Sequence, residues 1–292
     1  PVFMAFPGIK VSKKQKIPMY TYVLDLWPES LAEMTGIKKG PPYDMVKYLT
    51  KIIYNYSDKV LISSSSFKDS IETLGVAKDN IIFWPQYAED FYADSNVLPD
   101  AESRLEMPSG FNIIYTGNFG EAQKLETAIL AAKITYETHP DINWIFMGGG
   151  RKESDLKEKA EETNLLGKNI FFIERKPPEK VKEYLSLSDA ALLILKDMKL
   201  LNITLPAKIQ SYFAFGIPVI ACCNGEGANI VKDADAGMVC PAEDSKRLAE
   251  TAIKLYNSED KDKNNMRDNA KKYFNEHYTK KFLIDKLEEV IR

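Results

Sequence analysis

Short apolar runs alternate with amphipathic stretches from residue 111 onward, and this alternation restricts the fold more than any other feature of the sequence. The runs have the length of buried strands, and the stretches between them have the period of helices. The predicted strands are FNIIYTG (111–117), INWIFMGGG (142–150), NIFFI (169–173), DAALLIL (189–195), VIAC (219–222) and AGMVCP (236–241). The predicted helices cover 120–139, 151–164, 178–188, 205–216, 245–257 and 261–291. Strands and helices at this spacing indicate an α/β fold with a doubly wound parallel sheet.

The first hundred residues resemble about half of a similar unit. The predicted strands are PMYTYVLDL (18–26), DKVLISSS (58–65) and NIIFWPQ (80–86), with a helix over 44–57. A polar, turn-rich linker is predicted over 93–110. We therefore expect three parts: an incomplete Rossmann-like domain (1–105), a complete one (106–270) and a terminal helix (271–292) that crosses back to the first domain. The strands that would complete the first domain are expected to precede Pro1.

Composition and charge exclude several classes of protein. A net charge of −3 argues against a nucleic-acid partner, because such proteins carry a strongly basic face. No apolar run approaches the ~18 residues that a membrane span needs. Three cysteines, two of them adjacent, do not form a disulfide framework and fit a reducing cytoplasm. A basic patch of Lys10, Lys13, Lys14 and Lys16 is compatible with peripheral contact to the anionic inner face of a membrane, although an ordinary charged loop is the favoured interpretation.

The segment Leu205 to Glu226 is the strongest candidate for a site. It reads LPAKIQSYFAFGIPVIACCNGE: a helix, a buried strand and a glycine loop, NGEGAN, that contains Gly225. Lys208, Ser211 and Glu226 interrupt its apolar character. In open α/β sheets ligands bind at the carboxyl ends of strands, and a cation, a hydroxyl and a glycine loop there suit a phosphate. The alternative is a core helix with a snorkelling lysine and a capping glycine.

Other loops at predicted strand ends add candidates. TGNFGEAQK brings Gly117, Asn118 and Gly120 to the end of the first strand of the second domain, where glycines allow close approach to a pyrophosphate. It is not the GxGxxG fingerprint, so NAD is disfavoured. In IERKPP, Arg175 is a candidate contact to a base edge, and a solvated turn arginine is the alternative.

Two carboxylates flank an aromatic loop in the first half. LDLWPES places Asp25 and Glu29 around a Trp-Pro pair, so both are candidates to face a cleft. The alternative interpretation is a helix N-terminus beginning near Pro28.

No metal or cofactor is predicted from the sequence. Asp233 and Asp235 match a DxD pattern but are interpreted as a solvated helix end. His139 and His277, the two histidines, show no zinc or triad spacing.

The ordered set of motifs resembles the group 1 (family 4) glycosyltransferases, and within them the bacterial enzymes that assemble capsule or O-antigen precursors. The motifs are DLWPES, DKVLISSSSF, YTGNFGEAQKLE, MGGGRK, SDAALL, PAKIQSYFAFGIPVIA and NGEGA. The resemblance implies the GT-B fold of two Rossmann-like domains, with the nucleotide-sugar on the second and the acceptor on the first. It also implies a retaining, metal-independent transfer without a cofactor.

Carried over by position, the resemblance places Gly117, Asn118 and Gly120 beside a diphosphate that pairs with Lys208. Ser211 stands at the second glutamate of the family's Glu-seven-residues-Glu motif, a ribose contact, and Ile203 stands at the first.

Two further positions depart from the family pattern. Asn118 and Gln123 stand where other branches carry an arginine and a lysine. Because these departures affect the usual donor contacts of the family, Lys208 and Glu226 become the main candidates for binding the donor. Asp25 and Glu226 are the candidates for sugar contacts.

The function that the resemblance implies is transfer of a hexose or N-acetylhexosamine from a nucleotide-sugar, with UDP the expected nucleotide, to a saccharide or lipid-linked acceptor. Two alternatives stay open: a catalytically inactive or truncated nucleotide-sugar-binding module, and a UDP-sugar 2-epimerase.

Overall fold

The computed structural model of the chain describes residues 2–94 and 97–292. Residue contacts divide it into a smaller unit, Pro1–Gln86 with Met198–Leu205, and a larger unit, Tyr87–Asp197 with Pro206–Arg292. The division after Gln86 precedes the boundary expected after residue 105, and the three-part organisation stays a prediction. Pro1 and positions 95 and 96 of the predicted linker lie outside the described residues.

The smaller unit contains a three-stranded parallel sheet in the order β1-β2-β3. Its strands are β1 (Tyr20–Val23), β2 (Lys59–Ile62) and β3 (Ile81–Phe83), and its helices are α1 (Ala5–Gln15), α2 (Glu29–Thr35), α3 (Pro41–Tyr56) and α4 (Lys68–Thr73). Ile53 and Tyr54 of α3 are buried with Val60 and Ile62 of β2 in one hydrophobic cluster, which fixes α3 on the sheet.

The N-terminal lysines lie on a helix or at its end, where a charged loop was favoured from sequence. Lys10, Lys13 and Lys14 belong to α1, and Lys16 ends it in the left-handed conformation with a φ of 56°. The apolar residues that precede these lysines in α1 explain the difference, because Phe6 and Ile9 pack against the same hydrophobic cluster.

The larger unit contains a six-stranded sheet that is parallel throughout, as predicted. Its strands are β4 (Phe111–Asn118), β5 (Ile142–Gly149), β6 (Ile170–Glu174), β7 (Ala190–Ile194), β8 (Val219–Cys222) and β9 (Gly237–Cys240). The spatial order is β6-β5-β4-β7-β8-β9, so the direction of winding reverses between β4 and β7. Such a reversal is the switch point at which doubly wound sheets bind ligands.

Helices cover this sheet, and the connections between strands contain most of them. They are α5 (Ala101–Glu106), α6 (Glu126–Tyr136), α7 (Glu153–Glu162), α8 (Pro178–Ser186), α10 (Lys208–Phe215), α11 (Glu226–Asp233), α12 (Ser245–Tyr256), α13 (Asp260–His277) and α14 (Lys280–Ile291). The short helix α9 (Lys199–Asn202) belongs to the smaller unit. Trp144 and Phe146 of β5 are fully buried beneath them. None of the described helices is both long and apolar enough to cross a bilayer.

Two segments differ from the expected elements because of local capping. The terminal helix is two helices, since the Thr279 hydroxyl accepts a hydrogen bond from the amide of Phe282 at 3.2 Å and begins α14. The predicted linker contains α5, which Asp100 caps by accepting from the amide of Ser103 at 2.8 Å. In both cases a polar side chain stabilises a helix start that the hydrophobic pattern does not mark.

Two further segments begin their helices later than expected. The helix predicted from residue 120 begins at Glu126, because Lys124 adopts a left-handed φ of 49°. The predicted glycine loop is shorter than NGEGAN, since α11 begins at Glu226.

Candidate functional site

A cavity of about 340 Å³ opens at the carboxyl ends of β4 and β5 in the larger unit. The strand ends contribute Thr116, Gly117, Met147 and Gly148; the loop after β6 contributes Arg175 and Lys176; α8 contributes Pro178, Val181 and Leu185; the start of α10 contributes Ala207, Lys208, Ser211 and Tyr212; and Tyr92 completes the lining. The cavity therefore lies where the sequence predicts a phosphate-bearing ligand, at the strand ends beside the reversal of the sheet.

Lys208, the first residue of α10, places a cation in this cavity. Its Nζ atom lies 2.5 Å from the hydroxyl oxygen of Tyr115 and 3.9 Å from the centre of the ring. That hydroxyl in turn donates to the carbonyl oxygen of Asn118 at 2.7 Å, which leaves its oxygen to accept from the lysine. Among the described residues, no carboxylate lies within ion-pair distance of Lys208.

Burial lowers the pKa of Lys208 to about 7, because the ammonium loses hydration without gaining a countercharge. An anion brought into this cavity would supply the missing countercharge. The arrangement is therefore suited to bind a negatively charged group.

Gly117 makes room for the lysine. Its φ of +131° is unfavourable for other residues, and a Cβ atom there would lie 2.8 Å from Cε and 3.1 Å from Nζ of Lys208. The structure brings these two predicted residues together, and their contact gives the glycine a role that differs from direct approach to a phosphate.

The other two cations of the cavity already have partners. Lys176 forms ion pairs with Glu102 at 2.8 Å and Glu106 at 3.0 Å, which hold the pKa of the lysine above its usual range. Arg175 is exposed and donates to the carbonyl oxygen of Gly149 at 3.2 Å. Among the described residues, Lys208 is therefore the cation of this cavity that combines burial with the lack of a carboxylate partner.

The start of α10 is fixed to the end of β4 by a second tyrosine. The hydroxyl oxygen of Tyr212, which is buried, lies 3.3 Å from the amide nitrogen and 3.1 Å from the hydroxyl oxygen of Thr116. Ser211 lies one helical turn after Lys208 and lines the same cavity. Ser211 and Lys208 were predicted from sequence as site residues. Tyr115 and Tyr212 were not, because they lie in apolar segments and resemble ordinary core residues.

Asn118 and Gly120 lie next to the cavity but are not among its lining residues. A Cβ atom at Gly120 would lie 2.6 Å from Nδ2 of Asn118, and one at Gly150 would lie 2.7 Å from its Oδ1 atom. Gln123 accepts from the amide of Gly120 at 3.1 Å. These residues form a tight loop after β4 that holds the Asn118 side chain between two glycines.

Gly225 and Glu226 lie at the beginning of α11, after β8. Gly225 has a φ of 68° and lines a separate cavity of about 210 Å³. Glu226 is buried. The pKa of Tyr273 is raised mainly by burial and, to a smaller extent, by the Glu226 carboxylate. Glu226 is not one of the described residues that line the cavity around Lys208.

Asp25 belongs to the smaller unit. It follows β1, is exposed, and lines a cavity of about 430 Å³ with Trp27 and Tyr54. Glu29 begins α2, as the alternative interpretation of the Trp-Pro loop expected. Ile203 packs against the hydrophobic cluster of the same unit.

The described residues contain no group of three or more His, Cys, Asp or Glu side chains that could hold a metal ion. Asp233 ends α11, and Asp235 has a left-handed φ of 47°, a conformation that is common just after helices.

Comparison with known proteins identifies relatives. The family model described as glycosyl transferases group 1 matches residues 102–273. A curated protein of Escherichia coli K12, the putative colanic acid biosynthesis glycosyl transferase WcaI, is 30% identical over 170 residues, which cover 56% of this chain and 40% of the relative. The match thus spans less than half the length of that relative.

Solved structures share the fold at low sequence identity. Anabaena Alr3699/HepE in complex with UDP and glucose superposes with a TM-score of 0.75 at 13% identity, covering 100% of this chain and 76% of its own. A glycosyltransferase from Rickettsia africae gives a TM-score of 0.71 at 15% identity, with coverages of 98% and 79%. Both similarities concern the GT-B fold.

Proposed function

Because the chain belongs to the group 1 glycosyl transferases, we propose that its larger unit binds a nucleotide-sugar donor in the cavity around Lys208. The observation that carries the proposal is the ammonium group of Lys208, which lies at the strand ends of a doubly wound sheet without a carboxylate partner among the described residues. A diphosphate is the ligand that supplies the missing charge, and an ionised hydrogen-bond partner in a partly desolvated site is a strong one.

We propose UDP as the nucleotide and a hexose or N-acetylhexosamine as the sugar. The UDP and glucose complex of Alr3699/HepE, which has the same fold, supports this choice. The acceptor proposed is a surface-polysaccharide or lipid-linked saccharide, such as a capsule or O-antigen precursor. The name of WcaI, which refers to colanic acid biosynthesis, supports that class of acceptor.

The proposed reaction is a retaining transfer. The bond between the anomeric carbon and the diphosphate oxygen breaks, an acceptor oxygen bonds to the same carbon on the same face, and its proton passes to the leaving phosphate. Lys208 stabilises the negative charge that develops on that phosphate, and such preorganised electrostatic stabilisation is a large part of catalysis. Gly117, Asn118, Gly120, Arg175, Ser211 and Gly225 are proposed donor contacts, and Asp25 and Glu226 are proposed sugar contacts.

A second candidate is a donor-binding module without transferase activity. Ile203 supports it, because this apolar residue occupies the position of the family's first glutamate and packs in the hydrophobic cluster of the smaller unit. Such a module would bind UDP-sugars but would neither transfer nor hydrolyse them.

Membrane contact through the lysines of α1, and a cytoplasmic location, are also proposed. The positions of Lys10, Lys13 and Lys14 on one helix support the first, because a basic helix attracts anionic lipids.

Calorimetric titration with UDP, GDP and their sugars tests the donor site. We expect Lys208→Ala to weaken UDP binding at least tenfold, about 1.4 kcal/mol. The matched control is Lys176→Met, which removes a carboxylate-paired cation from the same cavity and should change the affinity less than about threefold. Equal affinity of the wild type and Lys208→Ala would contradict the assignment.

A further inference from the structure

Tyr92 is the lining residue of the Lys208 cavity that lies outside the part of the chain matched by the family model. All other lining residues fall within 102–273, whereas Tyr92 ends a short 3₁₀ turn, Asp90–Tyr92, in the segment that leads into α5 and β4. One wall of the cavity is therefore supplied by a segment that the family pattern does not include.

The Tyr92 turn is packed in place. It contacts α8 and α10, the two helices that border the cavity. The rings of Phe91 and Tyr92 lie 4.6 Å apart, and burial, together with the nearby Glu179 and Glu89 carboxylates, raises the pKa of Tyr92. A partly buried ring with a neutral hydroxyl is thus presented to the cavity.

Ion pairs tie the segment after Tyr92 to the cavity wall. Lys182 of α8 lies 3.4 Å from Asp94, and Lys180 lies 3.1 Å from Asp100. The pairs of Lys176 with Glu102 and Glu106 continue this network along α5. Single surface pairs contribute little, but several on one short segment restrict its position.

The wall next to Tyr92 is apolar. Pro178, Val181 and Leu185 of α8 line the same cavity, and Met147 lies at the end of β5. Sugars and phosphates need polar partners, so this wall suits a planar, weakly polar group. A ligand that combines such a group with an anionic group at Lys208 is a nucleoside diphosphate.

We propose that Tyr92 is a specificity-determining residue whose ring stacks on the nucleobase of the donor. The inference rests on the proposed function. The base lies between the Tyr92 ring and the apolar face of α8, while the diphosphate pairs with Lys208. Because an aromatic ring stacks on any base, Tyr92 distinguishes nucleotides from other diphosphates rather than uracil from guanine.

Calorimetric titration of the full chain with UDP and with inorganic pyrophosphate tests this role. We expect Tyr92→Ala to weaken UDP binding about tenfold and to leave pyrophosphate binding within twofold of the wild type. Tyr92→Phe keeps the ring, and its affinity for UDP should stay within twofold of the wild-type value.

Tyr92→Leu keeps apolar volume without a ring and should lose about as much UDP affinity as Tyr92→Ala. The Phe and Leu variants therefore decide the question even if the alanine variant does not fold. The matched control is Tyr48→Ala, which removes an exposed tyrosine of α3 and should change neither affinity.

The outcomes separate the two proposals. Tight UDP binding by the wild type with unchanged affinity in Tyr92→Leu would overturn the role of Tyr92 and leave the donor site intact. Equal losses of UDP and pyrophosphate affinity would also overturn it, because the residue would then act on the phosphates or on the fold. A wild type that binds pyrophosphate but no nucleotide would overturn both proposals.

Discussion

The start of α10 and the loop before α8 place two lysines in one cavity, and the two are in opposite electrostatic situations. Lys176 is neutralised by Glu102 and Glu106, which raise its pKa, whereas Lys208 contacts a neutral phenol and a glycine, and burial lowers its pKa to about 7. The pairing of Lys176 serves the fold, because it fastens α5 to the cavity wall. The lack of a countercharge at Lys208 supports the proposed donor site. Of two lysines that line one cavity, the one without a carboxylate partner is the better candidate for a functional role.

The strongest test of the contrast between the two lysines is to displace Lys208. Gly117→Ala forces an unfavourable φ and puts a methyl group against the lysine stem, so we expect a loss of about 2 kcal/mol in the free energy of unfolding and weaker UDP binding. Gly167→Ala is the matched control, since Gly167 has a positive φ of +75° but no atom within 4 Å of the added Cβ position. Denaturant unfolding should show a loss in both variants, and calorimetry a loss of affinity in Gly117→Ala alone. Unaltered UDP binding by Gly117→Ala would show that the contact with Lys208 is not needed.

The pH dependence of donor binding tests the lowered pKa that distinguishes Lys208 from Lys176. Below pH 7 the folded-state Lys208 is charged and should bind a diphosphate, and above pH 7 it loses its proton, so affinity should fall about tenfold between pH 6 and 8. UDP-glucose is the suitable ligand, because its phosphates do not titrate in this range. Lys208→Arg stays charged and should remove the pH dependence. A wild-type affinity that is constant from pH 6 to 8 would refute the lowered pKa.

Removal of the charge from each lysine should change the free energy of unfolding slightly and in opposite directions. Lys208→Met removes a desolvated charge, so the free energy of unfolding should rise by roughly 1 kcal/mol at pH 6. The sign follows from the lowered pKa: the folded state disfavours the proton, so the ammonium opposes folding below pH 7 and the cost disappears as the pH rises above the unfolded-state value. Lys176→Met leaves two carboxylates without their partner and should lower the free energy of unfolding by at most about 1 kcal/mol. Chemical denaturation of both variants measures the two changes, and a shared sign would contradict the contrast.

Much of the fold and the main part of the site were predictable from sequence, for a local reason. Strand length and helical period are local signals, so the six strands of the larger unit and the strand-end position of Gly117 and Lys208 follow from the pattern. The partners of those residues are not local. Tyr115 looks like any aromatic residue of a buried strand, and only the path of α10 brings Lys208 to its hydroxyl.

Packing between distant parts of the chain also decides which residues line the cavity. Glu226 was predicted from sequence as a contact, and the structure buries it in α11, outside the lining of the Lys208 cavity, so its role stays a prediction. Tyr92 lies in a segment with no strong period, and its place in the cavity follows from the contacts of its turn with α8 and α10. Contacts between elements distant in sequence leave no periodic signal.

The segment Met198–Leu205 has a consequence for dissecting the molecule. The polypeptide passes from the smaller unit to the larger after Gln86, returns after Asp197, and leaves again after Leu205. No single cleavage of the backbone therefore yields the two units as separate pieces, because a fragment that starts at Tyr87 still carries eight residues whose packing partners lie in the other piece. Lys208 follows the last of these passages by only three residues, so a cut made at that passage falls next to this lysine.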